Sequence, residues 1–143
     1  MTSVDLHSGL FIHQLLAQTI TSQGQTITGT CDTAGFESLE ISINHLTASG
    51  TFVLTLQESD DTVNWSDVSD DFILFRGEKV NPSDQLPTIT NATPTLVRFG
   101  YVGKLRYTRL LIGASGTPSS TFIVNGILNT AIHQPTVEQP PAA

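Results

Sequence analysis

The residues best suited to chemistry lie within fourteen positions: Glu58, Asp60, Asp61, Asn64, Asp67, Asp70 and Asp71. Hard oxygen ligands of this kind suit calcium. Their spacing lacks the acid-x-acid-x-acid-Gly order of an EF-hand loop, and alternation along an extended limb turns neighbouring acids to opposite faces. Solvated turn charge that also discourages edge-to-edge strand pairing accounts for them, so no metal is expected. Nucleophiles fare no better. Ser115 sits in Gly113-Ala114-Ser115-Gly116, which is not the Gly-x-Ser-x-Gly elbow and lies between two strand-like segments rather than before a helix. The single cysteine, Cys31, has only scattered histidines (His7, His13, His45, His133) to draw on, with no spacing that suggests a thiol dyad. Trp65, the one tryptophan, is a candidate stacking platform for a sugar or a base. Packing in or beside the core is the more usual fate of a lone tryptophan in a β-domain, and is expected here. The chain reads as neither an enzyme nor a cofactor protein.

Charge narrows the partners. Thirteen acids against six bases leave a net charge of −7, whereas neutralising phosphates needs clustered Lys and Arg. Lys104, Arg106 and Arg109 are close in sequence, but strand alternation spreads them over two faces. No nucleic-acid partner is expected. Charged residues make up 13% of the chain, well below the roughly 25% usual in soluble domains. Thr, Ser, Asn and Gln take their place, which suits a β-rich protein with large contact surfaces. No apolar run approaches the roughly 18 residues of a membrane helix. The N-terminus lacks a basic start and an apolar core, so the chain is expected to be made in the cytoplasm without an export signal and to have no membrane partner.

The elements that would position these residues are strands. Leu39-Glu40-Ile41-Ser42-Ile43-Asn44 alternates apolar and polar without a fault, the mark of a half-buried strand. Phe52, Leu54 and Leu56 alternate into an acidic turn at residues 58–61, and Val63, Trp65 and Val68 return, which predicts a hairpin over residues 51–68. Residues 19–21 and 26–28 flank Ser22-Gln23-Gly24 and read as another hairpin. Strands are also expected at 72–75, 96–99, 105–112 and 121–128, with turns at 48–50 and 113–120. Pro82, Pro87 and Pro94 make residues 76–95 a surface excursion with one edge strand near 86–89. About eight strands and no trusted helix predict an all-β fold, an antiparallel β-sandwich, jelly-roll-like or Ig-like. The 143 residues divide into an N-terminal arm (1–16), the sandwich domain (17–130) and an extended Pro-rich C-terminal tail (131–143).

Several of these motifs recur together in a known family. Phe36-Glu37-Ser38-Leu39-Glu40-Ile41, then Leu56-Gln57-Glu58-Ser59-Asp60-Asp61 with Trp65-Ser66-Asp67-Val68, then Arg98-Phe99-Gly100-Tyr101-Val102-Gly103-Lys104 and Arg106-Tyr107-Thr108-Arg109-Leu110, closing on His133-Gln134-Pro135, resemble small structural proteins of tailed bacteriophages and prophages. The resemblance spans about residues 17–135. It implies a virion head component of the capsid decoration (cement) type, which binds the outside of the capsid lattice and stabilises it. The implied partners are the major capsid protein and further copies of the chain, a trimer first and a dimer second. The implied location is the virion surface. The proline-rich segment 76–95 and the hydrophobic N-terminal arm depart from the family pattern. A weaker likeness joins Ser59-Asp60-Asp61, Trp65-Ser66-Asp67-Val68 and Arg106-Tyr107-Thr108-Arg109-Leu110 to discoidin-like β-sandwiches, and the alternative function is a carbohydrate-binding module on a virion or cell surface. Contact residues, to capsid or to another subunit, are expected at the two ends: Leu10, Phe11, Ile12, Leu15 and Leu16 in the arm, and His133, Pro135, Pro140 and Pro141 in the tail.

Overall fold

A computed structural model describes residues 10–75, 78–79 and 86–131. Eight strands run β1 (Leu10–Ile20), β2 (Thr26–Asp32), β3 (Phe36–Ser59), β4 (Ser66–Asp67), β5 (Ile73–Phe75), β6 (Glu78–Lys79), β7 (Leu96–Tyr101) and β8 (Tyr107–Ala131). Every pairing between them is antiparallel. At 24 and 25 residues, β3 and β8 far exceed the usual strand of about 5–6 residues. They pair with each other from Phe36↔Ala131 to Ser59↔Tyr107. Each half of this long ribbon then recruits its own neighbours. Residues 120–129 of β8 pair with β1, and residues 39–44 of β3 pair with β7, which leads on to β5 and β6. Residues 107–113 of β8 pair with β2, and Gln57 and Glu58 of β3 pair with β4. The result is an all-β sandwich whose two layers share their central strands.

The ribbon folds over where its register shifts, between Thr47 and Thr51 of β3. From Thr47↔Ser120 to Thr51↔Ser115, β3 advances four residues while β8 advances five, and the inward phase of β3 changes with it: Leu39, Ile41 and Ile43 are buried before the bend, Phe52, Leu54 and Leu56 after it. On β8 the same phase runs throughout, through Leu110, Ile112, Phe122, Val124 and Leu128. A one-residue slip moves a strand's whole apolar set to the other face, so the bulge keeps both halves facing the core after the fold-over. Gly50 makes this bend. Its φ is +94°, and a Cβ there would stand 2.6 Å from Cα of Pro118 on the opposing strand. The expected turns at 48–50 and 113–120 are therefore facing bends in two continuous strands.

The two layers meet over a core that includes Ile41, Ile43, Phe52, Phe99, Phe122 and Val124. Phe52 and Phe122 pack edge to face at 5.0 Å, the geometry favoured by aromatic quadrupoles. Tyr101, on the larger layer, donates its hydroxyl to Glu58 on the smaller at 2.6 Å. Residues 21–25 do not close the expected hairpin. They arch from one layer to the other, because β1 and β2 pair with different halves of β8. The excursion after β6 returns through Ile89, fully buried and hydrogen-bonded in both directions to Phe52 at 2.9 Å.

Of the stretch assigned to an arm, residues 1–9 lie outside the described residues and residues 10–16 belong to the sandwich. Residues 10–16 are the first part of β1, paired along β8 from Leu10↔Asn129 onward. A register shift between Gln14 and Leu16 makes Leu15 a bulged residue, which breaks the period-two pattern that would announce a strand.

Candidate functional site

The expected contact residues at the N-terminus divide between core and surface. Leu16 is buried, and Leu15 and Phe11 pack against the core. Leu15 approaches so closely that a Cβ at Gly29 would lie 3.0 Å from its own Cβ. Phe11 stacks on Phe36 with ring centroids 6.0 Å apart. Leu10 is half-buried. Ile12 alone of the five is a large exposed surface group, at 59%. Leu16 is thus unavailable as a contact residue, since it serves its own domain. His133, Pro135, Pro140 and Pro141 lie outside the described residues.

Alternation places Ile12 on the outer face of the larger layer together with three residues that the sequence reading missed. Leu46 is 74% exposed, Leu96 52% and Ile123 41%. Ile123 stands opposite Ala17 on one side and Asn44 on the other, and Asn44 in turn stands opposite Leu96. Ile12 is opposite Ile127, and Leu46 is opposite Thr121. By register the charged positions of this face, among the described residues, are Glu40, Arg98 and Lys79, and the Glu40 and Arg98 side chains approach to 3.9 Å. Burial raises the Glu40 carboxyl above its usual pKa, with Arg98 pulling the other way. The signal for Leu46 is present in the sequence. Along β3 the alternation inverts at His45-Leu46, which puts the polar residue inward and the apolar one outward. His45 is buried because its ring nitrogens are both satisfied, by Thr47 Oγ1 and by the carbonyl of Pro94, each at 2.7 Å. Beside Leu96 the face opens into a groove of about 770 Å³ lined by Leu74, Phe75, Pro87, Pro94, Val97 and Arg98, among others.

The acidic segment has a structural use. Asp61 accepts from the backbone N–H groups of Val63 and Asn64 at 2.8 Å each, from Asn64 Nδ2 at 2.7 Å and from Ser59 Oγ at 3.0 Å. Bonds from Asn64, Val63 and Ser59 hold its carboxyl well below the usual carboxylate range. Glu58 receives the Tyr101 hydroxyl, and burial with this bond raises the phenol's pKa. Asp67 accepts from Gln57 Nε2 at 2.8 Å, and Gln57 Oε1 accepts from Arg109 Nε at 2.8 Å. Among the described residues, no three His, Cys, Asp or Glu side chains gather closely enough to hold a metal ion.

Trp65 is half-exposed, not in the core. Its indole N–H donates to the Thr62 carbonyl at 3.0 Å, and the Arg109 guanidinium lies 4.4 Å from the ring centroid. One face of the indole is thereby covered by a cation. Arg106 pairs with Asp32 through two bonds of 3.0 and 2.9 Å, which depress the Asp32 carboxyl. Cys31 is buried, and burial followed by the neighbouring Asp32 charge pushes its thiol up to about 11. It is a protonated core residue at neutral pH and lacks the thiolate that nucleophilic chemistry needs.

Comparison with known proteins gives a fold and no family. No protein-family model and no curated protein matches the chain. Among solved structures, the chain resembles the PBSX exported protein XepA, a prophage protein, with a TM-score of 0.56 and 16% identity. That match takes in 100% of this chain and 47% of XepA, so the chain spans about half of the length of its neighbour. The CBM22-1-GH10 modules of Clostridium thermocellum xylanase 10B, solved with xylohexaose, match at a TM-score of 0.44 and 10% identity over 88% of this chain and 27% of that one. The XepA likeness agrees with the all-β sandwich read from the strand pairings. Among the described residues no helix is long and apolar enough to cross a membrane.

Proposed function

We propose that this chain is a non-enzymatic structural virion protein that binds the outside of a bacteriophage capsid lattice and stabilises it. One observation carries the reading. Ile12, Leu46, Leu96 and Ile123 are exposed on a single sheet face whose charged positions, among the described residues, are Glu40, Arg98 and Lys79, in a chain of net charge −7. Large apolar side chains exposed together on one face mark a protein–protein contact. The motif resemblance to phage head proteins names the partner, the major capsid protein, and a fold neighbour from a prophage is in keeping with it. Stabilisation is mechanical in this scheme: the sandwich body bridges neighbouring capsid subunits, and self-association multiplies weak contacts through effective concentration.

The test is cosedimentation of the purified protein with undecorated capsids of the phage or prophage that encodes it, followed by heat challenge of the capsids. Binding with a raised capsid melting temperature is expected. Soluble protein beside capsids of unchanged stability would refute the proposal, and glycan binding lost on Trp65→Ala would replace it with the carbohydrate-binding reading.

A further inference from the structure

We infer that β1 is a self-association edge, at which a second copy of this chain adds its own β1 antiparallel to form one sheet across two sandwiches. The inference rests on the proposed structural role and names the surface through which copies join. A strand at the end of a sheet presents a row of unpaired N–H and C=O groups, and proteins ordinarily blunt such edges with charges, prolines or very short strands. Among the described residues the other edge strands are short or interrupted. On the larger layer, β5 and β6 are three and two residues long. On the smaller, β4 has two residues, and β2 has seven with Gly29 in its middle and Asp32 at its end. By contrast, β1 runs eleven residues, LFIHQLLAQTI, with no charge and no proline. Its one bulged residue, Leu15, turns toward Gly29 in the interior and not toward the edge. Among the described residues β8 is its sole partner.

A second copy fits this edge better than a different partner for two reasons. Two chains of net charge −7 repel wherever their acids approach, and among the described residues β1 is the long edge that carries no acid. Ile12 and Ala17 also border Ile127 and Ile123, so a two-fold through β1 joins the apolar faces of two copies into one. A single face spans four strands at about 4.8 Å spacing and some ten residues of length, roughly 600 Å². That is short of the about 800 Å² per partner of a standard interface, which two joined faces exceed. An antiparallel self-pair is an isologous two-fold contact. The dimer, second to the trimer in the sequence-based order, accordingly becomes the unit of assembly.

The test uses the full chain. Sedimentation velocity at micromolar concentration should give a dimer. Cysteines introduced one at a time as Ile12→Cys, Gln14→Cys, Ala17→Cys and Thr19→Cys should cross-link under mild oxidation, Cys31 being buried. In an antiparallel self-pair only positions near the two-fold bring Cα atoms within the roughly 4.4–6.8 Å that a disulfide spans. Cross-linking should therefore peak at one position and fall with distance from it. The double variant Ile12→Lys, Ala17→Lys should sediment as a monomer while keeping the wild-type β-sheet circular dichroism. A wild-type monomer, a self-associated form that cross-links equally at all four positions or at none, or a lysine variant that stays associated would each overturn the inference. A wild-type monomer that still binds capsids would overturn it while sparing the proposed function.

Discussion

Gly50 offers the sharpest test of the folded-over ribbon. Two costs converge on Gly50→Ala. The residue holds φ at +94°, and an L-residue in the left-handed region costs roughly 1–2 kcal/mol. The new Cβ would also meet Cα of Pro118 at 2.6 Å and its Cβ at 3.1 Å. Backbone cannot swing away as a side-chain tip can, and overpacking of this kind costs roughly 1–3 kcal/mol. The sum is about 2–5 kcal/mol. Gly116, in the opposing bend, is the internal control: its φ is +73°, but a Cβ there meets nothing within 4 Å. Gly116→Ala should therefore pay the backbone cost alone, about 1–2 kcal/mol. Urea denaturation of the three proteins, with equal m-values as the check on two-state behaviour, reads the difference directly. At roughly 4 °C per kcal/mol for a domain of this size, thermal midpoints should separate in the same order. Equal losses in the two variants, or a Gly50→Ala protein as stable as wild type, would refute the close crossing of the strands at the bend.

Other consequences follow from the side-chain environments. Cys31, buried with its thiol pushed up to about 11, should resist a thiol reagent in native buffer and react fully in denaturant. Fast native labelling would contradict its place in the core. The Asp61 carboxyl is held below its unfolded value of 3.8 by the donors of residues 59–64. A depressed folded pKa gives stability that is present above the unfolded value and lost as pH falls toward the folded one. Asp61→Asn should accordingly be less stable than wild type at neutral pH, with the gap closing in acid below that value; a gap that widens in acid would show the sign to be wrong. Trp65→Ala, at a half-exposed position beside Arg109, should cost about 1 kcal/mol. Phe122→Ala, at a site with no exposure, should cost about 3–5 kcal/mol. Chemical denaturation ranks the two, and a larger loss at Trp65 would place the indole in the core after all.

Local patterning was enough to read the strands themselves where alternation is clean, as at Leu39–Asn44 in the first half of β3, and in the turn that Asp61 organises. Connectivity was less legible. Gly50, Gly116 and the Ser/Thr runs around them carry the residues of turns, because a bend in a paired ladder and a chain reversal need the same backbone freedom. Ser22-Gln23-Gly24 announces a change of direction but not the layer the chain enters next, which β8 decides by pairing with both β1 and β2. The bulge at Leu15 hid β1 by putting its apolar residues out of phase. The candidate face was harder still. Leu46, Leu96 and Ile123 lie on three strands far apart in sequence, and only the register brings them to one surface. The single local hint was the inversion at His45-Leu46.

The capsid-binding account is tested most directly by cosedimentation of undecorated capsids with the wild-type chain and with a Leu46→Glu, Leu96→Glu variant, both side chains being more than half exposed. The account predicts that the wild type pellets with the capsids and raises their melting temperature. The variant, with an unchanged melting profile of its own, should stay in the supernatant. Wild type and variant pelleting alike, or neither pelleting, would contradict it.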